Sequence, residues 1–427
     1  MNRYKTIAIV TLILMLASIV LTSCSSNNNE VLSNEPVTNE PVTIEFWHNY
    51  DAGSGQVEVL EKLIKEFEAE NKNIKVEHVY LEWEALKNNV VSGAATGTLP
   101  DVLRGDIAFV PQFQSLNVLE EMSSLSDYKD VASGILEAPN STAKMGDKFY
   151  GIAANTNTKI LFYNKKILNA ANVGVPKTLD ELWEAALKVS DSKTIGMVEP
   201  WTGVWNVGPY IWSEGGDVLS PDNSTAEGYI NGPVAVKAIQ KLVDLYKVKA
   251  LAGPSMDPGA IGDTDGWAAG VYALQLDGPW REKSNIDAGV DYGAIPLPVG
   301  SKGSISVLGG EDFMMFKSSD DAHKKASWEF IKFMTGKHAQ VEMAKVGQMP
   351  VNIEALSDSE AIEAIPLLPV FSEALKSAKS RPVTAKWSEM ENIIATKVAE
   401  AITGIKEVKA ALNEAAAEID KLISESK

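Results

Sequence analysis

From residue 42 onward, short β-like runs alternate with amphipathic helical runs, and that alternation leaves few architectures open. Val42, Ile44 and Phe46 repeat with a period of two. After Gly53 and Gly55, the residues Val57, Leu60, Ile64 and Phe67 recur at helical spacing. Ile74–Tyr80 reads as a second strand, Glu82–Ala94 as a helix, and Leu99-Pro100-Asp101-Val102-Leu103 as the entry to a third strand. This β-α-β-α-β order predicts a mainly parallel sheet in an α/β domain.

The alternation continues. Strands are expected over Lys148–Ala153, Thr158–Asn164, Tyr272–Asp277 and Tyr292–Leu297, with a short apolar run at Phe313–Phe316. Helices are expected over Val234–Tyr246, Asp321–Met334, Trp387–Ile402 and Lys406–Ile423. Thr178-Leu179-Asp180-Glu181 has the form of a capping box and launches another helix through Val189. A chain of 427 residues has room for two or three domains. No Pro/Gly/Ser-rich linker divides it after residue 43, which points to a chain that crosses between its domains more than once.

The first segment has a different character. Arg3 and Lys5 precede the uncharged run Ile7–Leu21, which is short for a permanent membrane span, so residues 1–23 read as a secretory signal. It ends at Leu21-Thr22-Ser23-Cys24, a leucine–small–small–cysteine pattern similar to the lipobox of bacterial lipoproteins, and Cys24 is the sole cysteine of the chain. Cleavage before Cys24 would leave a lipidated N-terminus, and two acyl chains suffice for stable anchoring. Residues 24–42 are polar, repeat Asn34-Glu35-Pro36-Val37-Thr38 as Asn39-Glu40-Pro41-Val42-Thr43, and read as a tether.

One cysteine excludes a disulfide framework and a Cys-rich zinc site. The net charge of −18 disfavours nucleic acid as a partner. Without the signal, 37 basic residues face 57 acidic ones, a net charge of −20. No nucleophile elbow, His-Glu-x-x-His, Walker loop or dinucleotide fingerprint is present. Asp263-Thr264-Asp265-Gly266 fails as a calcium loop, because Ile261 and Tyr272 stand at its first and twelfth positions. No metal and no cofactor are expected. A pair of carboxylates for glycoside hydrolysis, drawn from residues such as Asp106, Glu199, Asp217, Asp277, Glu311 and Asp312, stays open as an alternative, because its spacing is three-dimensional.

Ligands of open α/β sheets lie beyond the carboxyl ends of the strands. Those ends read Trp47-His48-Asn49-Tyr50-Asp51, Arg104-Gly105-Asp106, Asn155-Thr156-Asn157 and Asp277-Gly278-Pro279-Trp280, with Trp201 and Trp205 following the run Met197–Glu199. Aromatic rings interleaved with amides, carboxylates and an arginine suit a carbohydrate, whose C–H face packs on an indole and whose hydroxyls need both donors and acceptors. Of the tryptophans, Trp83, Trp183, Trp267 and Trp328 are assigned to the core, and Trp212 leans to it. Trp201, Trp205, Trp280 and Trp387 are assigned to the ligand.

Taken in order, several motifs resemble the family 1 extracellular solute-binding proteins of ABC importers, the group that contains maltose/maltodextrin-binding proteins. They are Ile44-Glu45-Phe46-Trp47-His48, Leu99-Pro100-Asp101-Val102, Gly146-Asp147-Lys148-Phe149-Tyr150-Gly151-Ile152, Phe162-Tyr163-Asn164-Lys165, Pro176-Lys177-Thr178-Leu179-Asp180-Glu181, Ser213-Glu214-Gly215-Gly216-Asp217, Leu276-Asp277-Gly278-Pro279-Trp280 and Trp328-Glu329-Phe330-Ile331-Lys332-Phe333. The resemblance implies a two-lobed, class II periplasmic-binding-protein-like α/β fold with a helical C-terminus. It places the interlobe crossings near Ala153–Asn157, Val307–Asp312 and Gly347–Asn352. The N-terminal lobe would comprise residues 43–154 and 311–348, and the C-terminal lobe residues 155–310 and 349–427. The family's stacking aromatics match Trp280 and, with less specificity, Trp201 or Trp205 and Trp387; its acidic ligand residue after the first strand matches Asp51. The best-known maltose-binding proteins carry a tryptophan and an Asp-Arg pair in the loop where this chain has Arg104-Gly105-Asp106, and Gly105 takes the tryptophan's place.

The expected function is that of a non-enzymatic, lipid-anchored receptor on the extracellular face of the cell membrane, of the Gram-positive lipoprotein type. It would be monomeric and would deliver an oligosaccharide, maltose or maltodextrin first, to a permease. The candidate ligand residues are Trp47, His48, Asp51, Arg104, Asp106, Asn155, Trp201, Trp205, Asp277, Trp280, Glu311, Asp312 and Trp387. A β-linked manno- or xylo-oligosaccharide, a peptide or polyamine, and the hydrolase are the alternatives. Cys24→Ser is expected to shift the expressed protein from the detergent phase to the aqueous phase of a Triton X-114 partition and to leave the signal uncleaved, read by intact mass.

Overall fold

The computed structural model describes residues 41–425 apart from residues 258 and 318. The signal, Cys24 and all of the tether but its last two residues lie outside the described residues. The described strands are β1 (Val42–His48), β2 (Ile74–Tyr80), β3 (Val102–Asp106), β4 (Lys144–Met145), β5 (Lys148–Phe149), β6 (Ile152–Thr158), β7 (Ile160–Asn164), β8 (Ile195–Val198), β9 (Leu251–Ala252), β10 (Tyr272–Asp277), β11 (Tyr292–Ile295), β12 (Val307–Met315) and β13 (Lys379–Ser380). Most sit where the periodicity placed them. The apolar run at Phe313–Phe316 turns out to be the end of a nine-residue strand, β12, whose first half was hidden by Gly309 and Gly310.

The strands form two principal sheets. The first has the order β13-β12-β3-β1-β2, with β6 also paired to β12. Its β1 is parallel to β2 and β3, and its β12 is antiparallel to β3 and β6. The second has the order β11-β7-β10-β8-β9, with β8 parallel to β9 and β10, and β7 antiparallel to β10 and β11. Each sheet thus keeps the parallel centre that βαβ units produce and adds antiparallel strands at one side.

The chain passes from the first sheet to the second between β6 and β7, and returns between β11 and β12. Near residue 349 it moves again, since Met349 bridges Thr156 and the helices that follow pack in a cluster with β7 residues. It touches the first sheet once more at β13, then ends in helices Trp387–Ile402 and Val408–Glu425 against the second. The three crossings that the resemblance implies therefore lie side by side.

Local chemistry sets the helix starts. Thr178 accepts the Glu181 N–H at 3.2 Å, half of a capping box; the Glu181 carboxylate reaches past its usual target and accepts the Lys177 N–H at 2.7 Å. Asp320 caps helix Asp321–Thr335 by accepting the His323 N–H at 2.9 Å. That helix buries Phe330 edge-on to Phe46 and Phe67, with ring centroids 5.2 and 5.3 Å away, in the core of the first sheet. Phe330→Ala should cost about 3–5 kcal/mol of unfolding free energy, read as a lower denaturant midpoint at unchanged slope.

Candidate functional site

One cleft of about 710 Å³ lies between structures borne by the two sheets. From the first sheet come Asp106 at the end of β3, Asn157 of β6, Gly309, Gly310 and Glu311 of β12, and Trp83 and Lys87 of helix Trp83–Thr96. From the second side come Trp201, Trp205 and Asn206 around the start of helix Val204–Ser213, and Trp280 at the start of helix Trp280–Asp287. Arg381 and the face Trp387, Ser388, Glu391 and Asn392 complete it.

The walls are aromatic. Trp205 and Trp280 lie 6.2 Å apart at 33°, Trp201 is 63% exposed and Trp280 45%. Trp83 packs on Phe109 at 5.0 Å, and Lys87 Nζ stands 4.9 Å from the Trp83 ring. The floor is backbone: a Cβ on Gly309 would come within 2.5 Å of the Trp205 ring, so only glycine lets that indole lie against the strand. Gly310 has φ of +134°, a conformation closed to other residues without strain.

The polar groups are held from behind. Arg381 Nη2 donates to Asp106 Oδ1 at 2.6 Å, and its guanidinium carbon lies 5.9 Å from the Trp205 ring centre. Glu391 Oε1 accepts the Val204 N–H at 2.8 Å, capping the helix that presents Trp205. Burial raises the Glu391 carboxyl above its ordinary range, with Arg381 opposing. Asn206 donates to buried Glu199 at 2.7 Å, and Lys159 stands 3.5 Å from the same carboxylate. Trp387 is 2% exposed and its Nε1 finds no partner among the described residues.

Of the thirteen candidate ligand residues, the cleft brings together Asp106, Trp201, Trp205, Trp280, Glu311 and Trp387. The other seven do not line it. Trp47 bonds Glu45 at 2.8 Å and packs with the Leu103 and Phe109 cluster. His48 is buried on His78, 3.0 Å away, and burial, then His78 and Arg104, lower it to about 3, so its imidazole is neutral. Asp51 is exposed and closes its own turn by accepting the Gly53 N–H at 2.9 Å. Arg104 and Asn155 are buried and bonded to each other at 3.1 Å. Asp277 is buried against Arg281 at 3.0 Å. Asp312 points to Thr142, away from its neighbour Glu311.

Trp83, assigned to the core, lines the cleft instead, whereas Trp183, Trp212, Trp267 and Trp328 are buried as expected. Missed altogether were Lys87, Phe109, Asn206, Arg381, Ser388, Glu391 and Asn392. The i, i+1, i+4, i+5 spacing of the last three with Trp387 is one helical face and could have been read from that tryptophan. Asn157 lines the cleft where the strand-end reading takes Asn155, two residues earlier.

Two α/β sheets joined by several crossings, with an aromatic and hydrogen-bonding cleft between them, define a two-lobed binding protein. A sequence profile described as bacterial extracellular solute-binding protein matches residues 62–370. The chain belongs to this family, whose members bind substrates and are not enzymes, so the hydrolase alternative falls. It is 23% identical to the maltotriose-binding protein of Pyrococcus abyssi over 82% of this chain and 76% of that protein. It is 23% identical to the galactooligosaccharide-binding protein of Bacillus subtilis over 87% of each. Maltose-bound T. maritima MalE3 is similar in structure, with a TM-score of 0.79 and 26% identity over 89% of this chain and 100% of that one.

The Asp312 environment makes a sign-definite pH prediction. Thr142 Oγ1, with a single proton to donate, lies 2.6 Å from the Pro139 carbonyl. The same hydroxyl lies 3.3 and 3.2 Å from Asp312 Oδ1 and Oδ2, so its proton is shared with the carbonyl. Burial raises Asp312 well above the carboxylate range, with the Thr142 hydroxyl opposing and Asp106 and Glu311 adding. The unfolded chain releases the Asp312 proton first, so its contribution to stability falls as pH rises above about 4, by roughly 1.4 kcal/mol per pH unit until the folded acid ionises. Asp312→Asn should raise Tm at pH 7, with the difference shrinking towards pH 4 in calorimetry.

Proposed function

We propose that this protein is the lipid-anchored receptor of an ABC sugar importer and that it takes an oligosaccharide in the cleft. The observation that carries the reading is the lining: five tryptophans, Trp83, Trp201, Trp205, Trp280 and Trp387, interleaved with Asp106, Glu311, Glu391, Asn157, Asn206 and Arg381. Indoles pack on the C–H faces of sugar rings, and the polar groups meet the hydroxyl rim. A micromolar complex needs only about −8 kcal/mol, within reach of a few such contacts. The names of the similar proteins, for maltotriose, galactooligosaccharide and maltose, support the same class of ligand. Maltose or maltodextrin is the first candidate. Gly105, where the best-known maltose-binding proteins have tryptophan, keeps a β-linked manno- or xylo-oligosaccharide as the second reading.

Residues 43–154 and 311–348 form one lobe in this reading, and residues 155–310 and 349–427 the other. Most of the apolar core supports that division, with Phe46 and Phe313 in one cluster and Leu161 and Ile394 in another, while Val341 and Ala344 pack with Ile160, Val351 packs with the Phe46 cluster, and β13 reaches back to the first sheet. The lobes close on sugar by population shift, and the closed form of the monomer docks on the permease. Cys24 holds the receptor at the outer face of the membrane.

Calorimetric titration and thermal shift with maltotriose, manno- and xylo-oligosaccharides, a peptide mixture and spermidine test the reading. One oligosaccharide class should raise Tm, and Trp205→Ala and Trp280→Ala should each weaken its binding roughly tenfold or more without loss of the folded state. A rise with the peptides or spermidine alone would overturn the sugar assignment.

A further inference from the structure

Arg104 is 2% exposed and donates to four side chains. Nη1 reaches Asn49 Oδ1 at 2.5 Å. Nη2 lies 3.1 Å from Asn155 Oδ1, 2.9 Å from Glu311 Oε2 and 2.8 Å from Gln348 Oε1. The last three acceptors belong to the three passages between the sheets: Asn155 to β6, Glu311 to β12, and Gln348 to the segment that enters the Met349–Thr156 bridge. The guanidinium face is closed by the Tyr50 ring, 4.1 Å away. None of Arg104, Asn155 and Gln348 lines the cleft, whereas Glu311 does.

We propose that Arg104 is the pin of the interlobe joint, a positioning residue that ties the three crossings to one point and holds Glu311 ready for ligand. The donor count gives the device its direction. Nη2 carries two hydrogens and faces three acceptors, so one acceptor is in excess. Asn155 and Gln348 are buried or turned inward and can saturate both hydrogens alone. Glu311, the acceptor beside the cleft, is the one that can offer its second carboxylate oxygen to a ligand hydroxyl while its Oε2 stays paired with Arg104. Loss of Arg104 would instead leave the Asn155 and Gln348 acceptors without a donor at the same place. The last step, a bond from Glu311 to a ligand, rests on the cleft being a sugar site; the pin itself does not.

Hydrogen exchange of the sugar-free protein, followed by mass spectrometry, tests the pin independently of any ligand. Arg104→Lys should speed exchange at least fivefold over 152–158, 307–315 and 348–352 together, because an ammonium group cannot span the acceptors. Should that variant not fold, Gln348 gives the same test. Gln348→Leu fills the space without an acceptor and should speed exchange over 152–158 as well as 348–352, while Gln348→Glu restores wild-type rates within twofold. Glu311→Gln keeps an acceptor for Nη2 and should speed sugar-free exchange less than Gln348→Leu does. The proposal is overturned if Gln348→Leu and Gln348→Glu behave alike, if acceleration stays within 348–352, or if Glu311→Gln loosens the crossings as much as Gln348→Leu.

Discussion

The pairing of β6 with β12 is the constraint on which the rest of the molecule depends. Both strands are almost wholly buried, so their amide and carbonyl groups cannot turn to water and must satisfy each other. They do so antiparallel, from Leu308 opposite Thr158 to Phe313 opposite Ile152. Because each strand also leads out of the first sheet, this one ladder joins the two halves and forms the back of the cleft. A register shift between Glu311 and Asp312 leaves Ala154 as the extra residue on β6, and such bulges re-aim side chains near functional sites. Here Glu311 faces the cleft and Asp312 the closed side.

Charge is buried on both sides of the joint, and on the first side Arg104 pairs with Glu311 and Arg381 with Asp106. Beneath the second sheet's strand ends, Lys159 lies near Glu199, and Arg281 bonds both Asp277 and Asp263. Buried ion pairs contribute little net stability, but removing one partner is costly. Their geometric effect is clearer: Glu199 fixes the Asn206 amide at the cleft wall. Asp312 has no ion-pair partner among the described residues, and burial raises its carboxyl well above the ordinary range.

The fold was legible because periodicity reports which face of an element is buried, and the alternation of strands and helices is written locally. The site was only half legible for the same reason. Strand ends could be found, yet which of two neighbours turns to the cleft depends on the partner strand. Asn155 and Asn157, Arg104 and Asp106, and Glu311 and Asp312 all stood in view, and in each pair one faces the cleft and the other lies behind it. The strand-end reading places Arg104 on the ligand, while its four acceptors make it part of the joint. Arg381 arrives from the distant C-terminal segment without a local pattern to announce it, whereas the Glu391 face follows from Trp387 by helical spacing.

The bare backbone at Gly309 and Gly310 has a consequence for how this receptor can diversify. The two glycines belong at once to the strand that couples the halves and to the deepest surface of the binding space. Any side chain that shortened the space there would also disturb the coupling. Adaptation to a smaller or larger cargo is therefore channelled to the rim, to positions such as 83, 201 and 280, where a change of shape leaves the joint untouched.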